Sequence, residues 1–104
     1  MNNINDHHKN IQDLCKVLLL LETEEEVLNF LKDLCTPTEL FAFAERWQIC
    51  MSLNDGLSYR EVHAQLGASL TTIGRVARFL KNENYKGYVA LLKKLKKQTN
   101  EGLK

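Results

Sequence analysis

The sequence predicts an all-α protein of about six helices, and three observations point to that class. Apolar residues recur at spacings of three and four along most of the chain, which is the period of a helix with one apolar face. No stretch alternates apolar and polar residues at the period of a strand. Three helix starts carry a Thr or Ser followed three residues later by Glu, as in a capping box: Thr23 with Glu26, Thr36 with Glu39, and Ser58 with Glu61.

The amino-terminal third is predicted to form two amphipathic helices, over about residues 4–21 and 24–35. Their apolar faces are wide for a chain of 104 residues, because a small domain has a small core in which to bury them. We therefore expect both helices to pack against a second copy of the chain. Their apolar residues are Ile4, Ile11, Leu14, Cys15, Leu18 and Leu21 in the first helix, and Val27, Leu28, Leu31 and Leu34 in the second.

A central core helix is predicted to begin at Pro37, the only proline in the chain. A proline at the first helical position loses no hydrogen bond, and its fixed φ suits the helix. The turn-forming residues Asn54, Asp55 and Gly56 should end this helix. Its predicted core face consists of Leu40, Phe43, Ala44, Trp47, Cys50 and Met51.

Two short helices, over about residues 59–66 and 70–81, are predicted to follow, and a last helix spans about residues 84–98. The last helix carries Tyr85, Tyr88, Val89, Leu92 and Leu95 at helical spacing, which favours a packing role over a stacking platform for single-stranded nucleic acid. Its cluster of Lys93, Lys94, Lys96 and Lys97 is interpreted as a solvated face rather than a membrane or phosphate site.

Length and composition indicate one globular domain over residues 1–104, with 44% hydrophobic and 26% charged residues. We divide it into dimerisation helices (1–35), a core helix (36–57), a helix-turn-helix (58–81) and a carboxy-terminal helix (82–104). Charge is unequally distributed: residues 1–57 hold four Lys/Arg and ten Asp/Glu, whereas residues 58–104 hold ten and three. The basic half suggests a nucleic-acid surface, although a solvated lysine tail accounts for part of the excess.

Several other classes are disfavoured by what the sequence lacks. Cys15, Cys35 and Cys50 form no C-x-x-C pair and are interpreted as reduced core thiols. No nearby carboxylate or thiol completes a metal-ligand set with the adjacent His7 and His8, which are interpreted as surface residues. No nucleophile–base pair, carboxylate dyad or Gly-rich phosphate loop appears, so we expect no enzyme, no catalytic residue, no metal and no cofactor. The longest apolar runs are too short to span a bilayer, which leads us to expect no membrane partner and a cytoplasmic location.

Residues 58–76 have the layout of a helix-turn-helix. With Tyr59 as position one, Val62, Leu66, Ile73 and Val76 occupy the positions where the motif needs apolar contacts between its two helices. Gly67 falls where the turn needs a positive φ, and Ser69 can cap the second helix. The segment from 70 to 81 is therefore the candidate recognition helix.

The candidate recognition helix has two chemically distinct faces. Ile73, Val76, Ala77 and Leu80 form an inward apolar stripe. The opposite face combines Thr groups able to touch base edges, Arg groups able to pair with guanine or phosphate, and a Gly that permits close backbone approach. The predicted DNA-binding residues are Arg60, Ser69, Leu70, Thr71, Thr72, Gly74, Arg75, Arg78 and Lys81.

Two alternatives to DNA binding remain open from the residues alone. Residues 58–81 could be a helical hairpin with a solvated basic face, an interpretation strengthened by His63, which occupies a position where such motifs usually have a small residue. A helical adaptor for a protein partner is the second alternative. The paired Arg75 and Arg78 favour DNA, because an adaptor has no general need for them.

The stretch from Leu34 to Lys81 resembles the trp-repressor superfamily, in particular its YerC/YecD branch of trp-repressor-like proteins. The similarity covers nearly half the chain, and its pieces are specific only in combination. They are residues 34–39 (LCTPTE), 44–47 (AERW), 57–62 (LSYREV), 67–69 (GAS) and 72–81 (TIGRVARFLK).

This resemblance implies a six-helix protomer that intertwines with a second copy and exposes a helix-turn-helix at each end of the dimer. It also implies a vestigial ligand pocket at Thr36, Arg46, Arg75, Val76 and Phe79, since the first three match residues that hold tryptophan in the trp repressor. Val76 and Phe79 replace the small Gly and Ser beside the indole, so we expect the pocket to be filled and tryptophan not to bind.

The function expected from the sequence is therefore sequence-specific binding of double-stranded DNA by a homodimeric transcriptional regulator. We expect this regulator to be a repressor rather than an activator. Its small-molecule corepressor, if it uses one, is unknown. A repressor gated by tryptophan or another small molecule and a helical protein-interaction adaptor are the alternatives.

Overall fold

The computed structural model describes residues 4–82 and 85–102, and within these ranges it contains six α-helices and no β-strand. The chain divides into two compact units, Met1–Leu40 and Phe41–Lys104. No helix in the described ranges is both long and apolar enough to cross a membrane. The helices are α1 (Ile4–Leu18), α2 (Glu24–Leu34), α3 (Pro37–Asn54), α4 (Tyr59–Leu66), α5 (Leu70–Lys81) and α6 (Gly87–Gly102).

The helix boundaries agree closely with the sequence prediction, and two differences have local causes. The first helix ends at Leu18 rather than near Leu21, because the N–H groups of Leu20 and Leu21 donate to carbonyls only three residues back, which tightens the chain into a turn. The last helix begins at Gly87 rather than near residue 84, because Lys86 has a φ of +60°, outside the helical region. Residue 84 itself lies outside the described residues.

The predicted capping boxes form at α3 and α4. The hydroxyl of Ser58 accepts from the N–H of Glu61 at 3.1 Å, and the Glu61 carboxylate accepts from the N–H of Ser58 at 2.9 Å. Thr36 and Glu39 make the same reciprocal pair. At α2 the arrangement differs: Thr23 caps the N–H of Glu26, but the Glu26 carboxylate accepts from the N–H of Glu22, one residue earlier than predicted.

The first unit carries apolar side chains that remain largely in solvent. None of its described side chains is fully buried, although α1 and α2 each have the amphipathic pattern expected of packed helices. Exposure is greatest just after α1, at Leu19 (84%) and Leu20 (72%). The other exposed large apolar residues of this unit are Ile11, Val17, Leu18, Val27, Leu28 and Leu34.

The second unit contains the core of the molecule. The buried cluster joins α3, α4 and α5, and half-buried apolar residues of α3, α5, α6 and the segment before α4 pack against it. Burial of apolar surface on this scale is the main favourable contribution to folding in a small domain. The cluster consists of Ile49, Cys50, Val62, Ala68, Ile73 and Val76, with Trp47, Leu53, Leu57, Leu80, Tyr88 and Leu92 packed against it.

The predicted core face of α3 is partly wrong. Phe43 and Ala44 are exposed, whereas Ile49, which was not predicted, is completely buried. The reason lies in the composition of α3: apolar residues surround this helix, so their spacing alone does not fix which side faces the core. The side that packs runs through Ile49, Cys50 and Leu53.

Further core predictions are corrected by the structure. Leu66, predicted to contact the second motif helix, lies at the end of α4 and is 36% exposed. Tyr85, predicted to pack in the core, precedes α6 and is 84% exposed. Both lie at the ends of helices, where the helical period no longer determines which way a side chain points. Cys15 is likewise exposed rather than a core thiol.

The Ser58 cap gives a prediction for stability. Replacing Ser58 by Ala should lower the free energy of unfolding by about 1 kcal/mol, because it leaves the Glu61 N–H without its hydroxyl partner. Urea denaturation followed by circular dichroism measures this. Thr38→Ala, at an exposed threonine inside the first turn of α3, is the control and should change stability little. An equal decrease in both variants would contradict the role of the cap.

Candidate nucleic-acid interface

The turn between α4 and α5 takes only the three residues Gly67, Ala68 and Ser69. Gly67 has a φ of +70°, as predicted, and its N–H donates to the carbonyl of His63 at 2.9 Å. A residue with a Cβ would be strained at this φ, although the space around the position is open. Ala68 is buried in the core cluster, so the turn is held from inside as well.

His63 closes the same turn from outside. Its Nδ1 lies 2.6 Å from the carbonyl oxygen of Ala68, and because a carbonyl can only accept, Nδ1–H is the donor. The imidazole therefore spans the turn instead of crowding the helix contact. This geometry explains how a helix-turn-helix accommodates a histidine at a position where a small residue is usual.

The inner face of α5 is fixed by the core. Ile73, Val76 and Ala77 are all at most 2% exposed, and the first two belong to the same cluster as Val62 of α4. Ser69 caps the helix, because its Oγ accepts from the N–H of Thr72 at 3.1 Å. The beginning and the rotation of α5 about its axis are thus both determined.

The outer face of α5 therefore presents a defined set of side chains to solvent. The Thr72 hydroxyl oxygen accepts a hydrogen bond from the Ser69 hydroxyl at 2.9 Å, so Thr72 is held in the first turn and keeps its own O–H as a donor. Of the nine residues predicted to bind DNA, only Thr72 and Gly74 are half-buried. Those that are exposed are Arg60, Ser69, Leu70, Thr71, Arg75, Arg78 and Lys81.

Gly74 is unusual within this face. It lies in the middle of α5, where glycine is less favourable than alanine by about 1 kcal/mol. A Cβ built at this position would meet no atom within 4 Å, and its φ is not positive. Neither internal packing nor backbone conformation of the described residues therefore requires a glycine here.

An aromatic and cationic cluster, which the sequence reasoning did not identify, surrounds Phe79. The guanidinium carbons of Arg75 and Arg78 lie 4.6 and 5.1 Å from the centre of the Phe79 ring. The ring of Tyr85 lies 6.4 Å from the same centre and is within 7° of parallel. Such cation–π contacts are worth about 0.5 to 1 kcal/mol each at exposed sites. The i, i+4 spacing of Arg75 and Phe79 is the signal that could have revealed them.

The residues predicted to form a vestigial ligand pocket are only partly brought together. Arg75, Val76 and Phe79 line one cleft of about 340 Å³, whereas Arg46 is not among its lining residues and lies 5.6 Å from the Phe43 ring. Thr36 belongs to the first unit, where it caps α3. The cleft is completed by Tyr85 and Lys86, which precede α6, and by Gly87, Tyr88 and Leu91 at the start of α6.

The titratable groups of the described residues show no catalytic or metal-binding arrangement. No cluster of three or more His, Cys, Asp or Glu side chains lies together within residues 4–82 and 85–102. Burial raises the pKa of the Cys50 thiol, which keeps it protonated. The pKa values of Glu39 and Glu61 are lowered by their capping hydrogen bonds, so both carboxylates stay charged at the starts of α3 and α4.

Comparisons with known proteins identify relatives along most of the chain. The family model described as Trp repressor protein matches residues 9–96. The uncharacterized protein YerC of Bacillus subtilis is 33% identical over 93 residues, which cover 89% of this chain and 88% of YerC.

Two solved structures are also similar. A Staphylococcus aureus protein, provisionally described as a Trp repressor, superposes with a TM-score of 0.79 at 32% identity, covering 85% of this chain and 87% of that protein. A TrpR-like protein from Eubacterium eligens gives a TM-score of 0.78 at 29% identity, covering 84% of this chain and 89% of its own.

Proposed function

This chain belongs to the Trp repressor family, and from that membership and the geometry of α5 we propose that it is a transcriptional regulator that binds duplex DNA sequence-specifically. The observation that carries the proposal is the division of α5 into a buried inner face and an exposed outer face of Thr and Arg side chains. A helix that is held by one face and presents the other fits the major groove, which admits an α-helix.

Each part of the outer face has a distinct role in the proposed complex. Thr71 and Thr72 lie against base edges, where their hydroxyl and methyl groups can select bases. Gly74 follows them and lies in the same part of the surface. Arg75 and Arg78 contact guanine edges or phosphates, since a guanidinium can do either. Arg60 at the start of α4 and Lys81 at the end of α5 contact the phosphate backbone. Repression, rather than activation, is the mode we propose, by analogy with the family.

We propose that the regulator acts as a homodimer. The exposed apolar faces of α1 and α2 are the kind of surface that a stable protomer interface buries. The acidic side chains of this unit repel the phosphates of DNA, which is consistent with a dimerisation unit rather than a DNA-binding unit. We also propose a cytoplasmic location, because the bacterial relatives hold their chromosome in the cytoplasm.

The dimer gives a measurable expectation. Light scattering at micromolar concentration should report twice the protomer mass of 12.0 kDa. Leu20→Asp, placed at an exposed position just after α1, should shift the equilibrium toward monomer, because burying an unpaired carboxylate in the interface is costly. Asn10→Asp, at an exposed polar position on α1, adds the same charge and should leave the mass unchanged. A folded monomer of the parent protein would refute the proposal.

A ligand-gated repressor is the second candidate, and the cleft of about 340 Å³ beside Phe79 is the observation that favours it. We propose that tryptophan is not the ligand, because Val76 is buried in the core and Phe79 occupies the position of the small residue beside the indole. Calorimetric titration with tryptophan decides this point: no saturable heat is expected. A millimolar or tighter isotherm would favour the gated repressor.

Substitutions on α5 test its assignment as the recognition helix. Thr71→Ala should change which bases are preferred, at about 1–3 kcal/mol for each good base interaction that the substitution removes. Lys81→Ala should weaken all sequences alike and reduce the slope of log affinity against log salt by about one unit. Selection from a random duplex pool, followed by binding titrations at several salt concentrations, measures both effects.

Lys97→Ala is the matched control for Lys81, because it removes an equally exposed charge from α6, away from the recognition helix. Parent-like binding by both the Thr71 and Lys81 variants would show that α5 is not the recognition helix. If the parent protein shows no salt-dependent DNA binding, the alternative function, a helical adaptor for a protein partner, would be favoured.

Gly74→Ala separates stability from DNA binding. The added methyl group meets open space and removes a helix-interior glycine, so the free energy of unfolding should rise by up to about 1 kcal/mol. The same methyl group stands between α5 and the bases, so affinity for the selected site should fall at least severalfold. Thermal melts and fluorescence anisotropy measure the two quantities. Tighter or unchanged binding by this stabilised variant would show that DNA does not approach Gly74 closely.

A further inference from the structure

Phe79 lies in α5 but is not part of the buried core. The residues of α5 that are fully buried are Ile73, Val76 and Ala77, whereas Phe79 is half-buried and is not among the side chains packed against the core cluster. The Phe79 ring contributes little to the core, but it contacts the side chains of Arg75, Arg78 and Tyr85. These contacts indicate a role for the ring outside core packing.

Two of the three side chains that contact Phe79 are Arg75 and Arg78, which the proposed function assigns to DNA contacts. The guanidinium groups of Arg75 and Arg78 both lie within about 5 Å of the ring centre, although neither arginine is buried. The face of an aromatic ring attracts cations, so one ring restrains both side chains. The ring of Tyr85, which precedes α6, lies nearly parallel to that of Phe79, with 6.4 Å between the ring centres.

We propose that Phe79 is a positioning residue of the DNA-binding surface, whose ring holds the guanidinium groups of Arg75 and Arg78 in place before DNA arrives. The inference rests on the proposed function, because it assigns a purpose to the two arginines. An unrestrained arginine loses substantial rotamer freedom when it is fixed at an interface, and an arginine that is already restrained loses less. The ring therefore raises affinity without itself having to touch DNA.

Substitution of Phe79 tests whether the restraint of Arg75 and Arg78, as distinct from their charge, contributes to DNA affinity. Phe79→Leu keeps both arginines and an apolar side chain but removes the aromatic face. DNA affinity should fall roughly tenfold, because both guanidinium groups lose the restraint of the aromatic face before binding. The salt slope should stay at the parent value, because the number of phosphates neutralised is unchanged. Arg75→Gln, by comparison, should lower the slope by about one unit.

Phe79→Tyr is the conservative control. It retains the aromatic face, and its added hydroxyl can reach solvent from a half-buried position beside an open cleft. Affinity within about twofold of the parent is expected. Thermal melts of both variants verify that the fold is intact. If Phe79→Tyr binds as weakly as Phe79→Leu, or if a folded Phe79→Leu variant binds as tightly as the parent, the positioning role is overturned.

A measurement without DNA separates this inference from the proposed function. In the protein alone, the Nε–H resonances of Arg75 and Arg78 should be displaced by the Phe79 ring current, and the displacement should vanish in Phe79→Leu but persist in Phe79→Tyr. Undisplaced resonances in a parent that binds DNA would overturn the inference alone. Displaced resonances in a parent that binds no duplex would overturn the proposed function instead.

Discussion

The left-handed backbone of Gly67 and the core burial of Ala68 together determine where α5 begins and which of its faces points inward. In a turn of three residues a small change in backbone angle would carry the second helix away from the first, and Val62 would no longer share a core with Ile73. The caps at Ser58 and Ser69 stop α4 and α5 from fraying at their starts, and the His63 hydrogen bond closes the turn from the solvent side. Every property of the candidate interface depends on this short connection.

Within α5, the second unit thus separates the side chains that pack against the core from those exposed to solvent. Ile73, Val76 and Ala77 hold α5 against the core, while the residues between them point outward. Phe79 and Tyr85 belong to neither group, since they form a partly exposed aromatic layer beside the arginines. Phe79 and Tyr85 also line the cleft of the second unit, and so does Arg75. The cleft therefore lies next to the exposed face of α5.

Much of this fold follows from local rules and could therefore be predicted from the sequence. A capping Ser, a glycine at a positive φ and an apolar stripe each act within a few residues, and the predicted bounds of α4 and α5 match those in the structure. The misplaced residues depend on distant partners. Ile49 is buried because the side chains of α4 and α5 pack on that side of α3, and Tyr85 is exposed because α6 begins only at Gly87, which leaves Tyr85 outside the helix. Neither arrangement leaves a periodic signal in the sequence.

The open space around Gly74 and the exposure of Thr71 have a consequence for how this molecule can change over evolutionary time. Most substitutions are tolerated or rejected according to their effect on stability, and these positions contribute almost nothing to the packed interior. Substitutions at these positions therefore leave the fold intact, whereas substitutions of the buried Ile73 and Val76 do not. Under the proposed function, gene duplication followed by change at a few such positions would yield paralogues that share one scaffold and bind different DNA sequences.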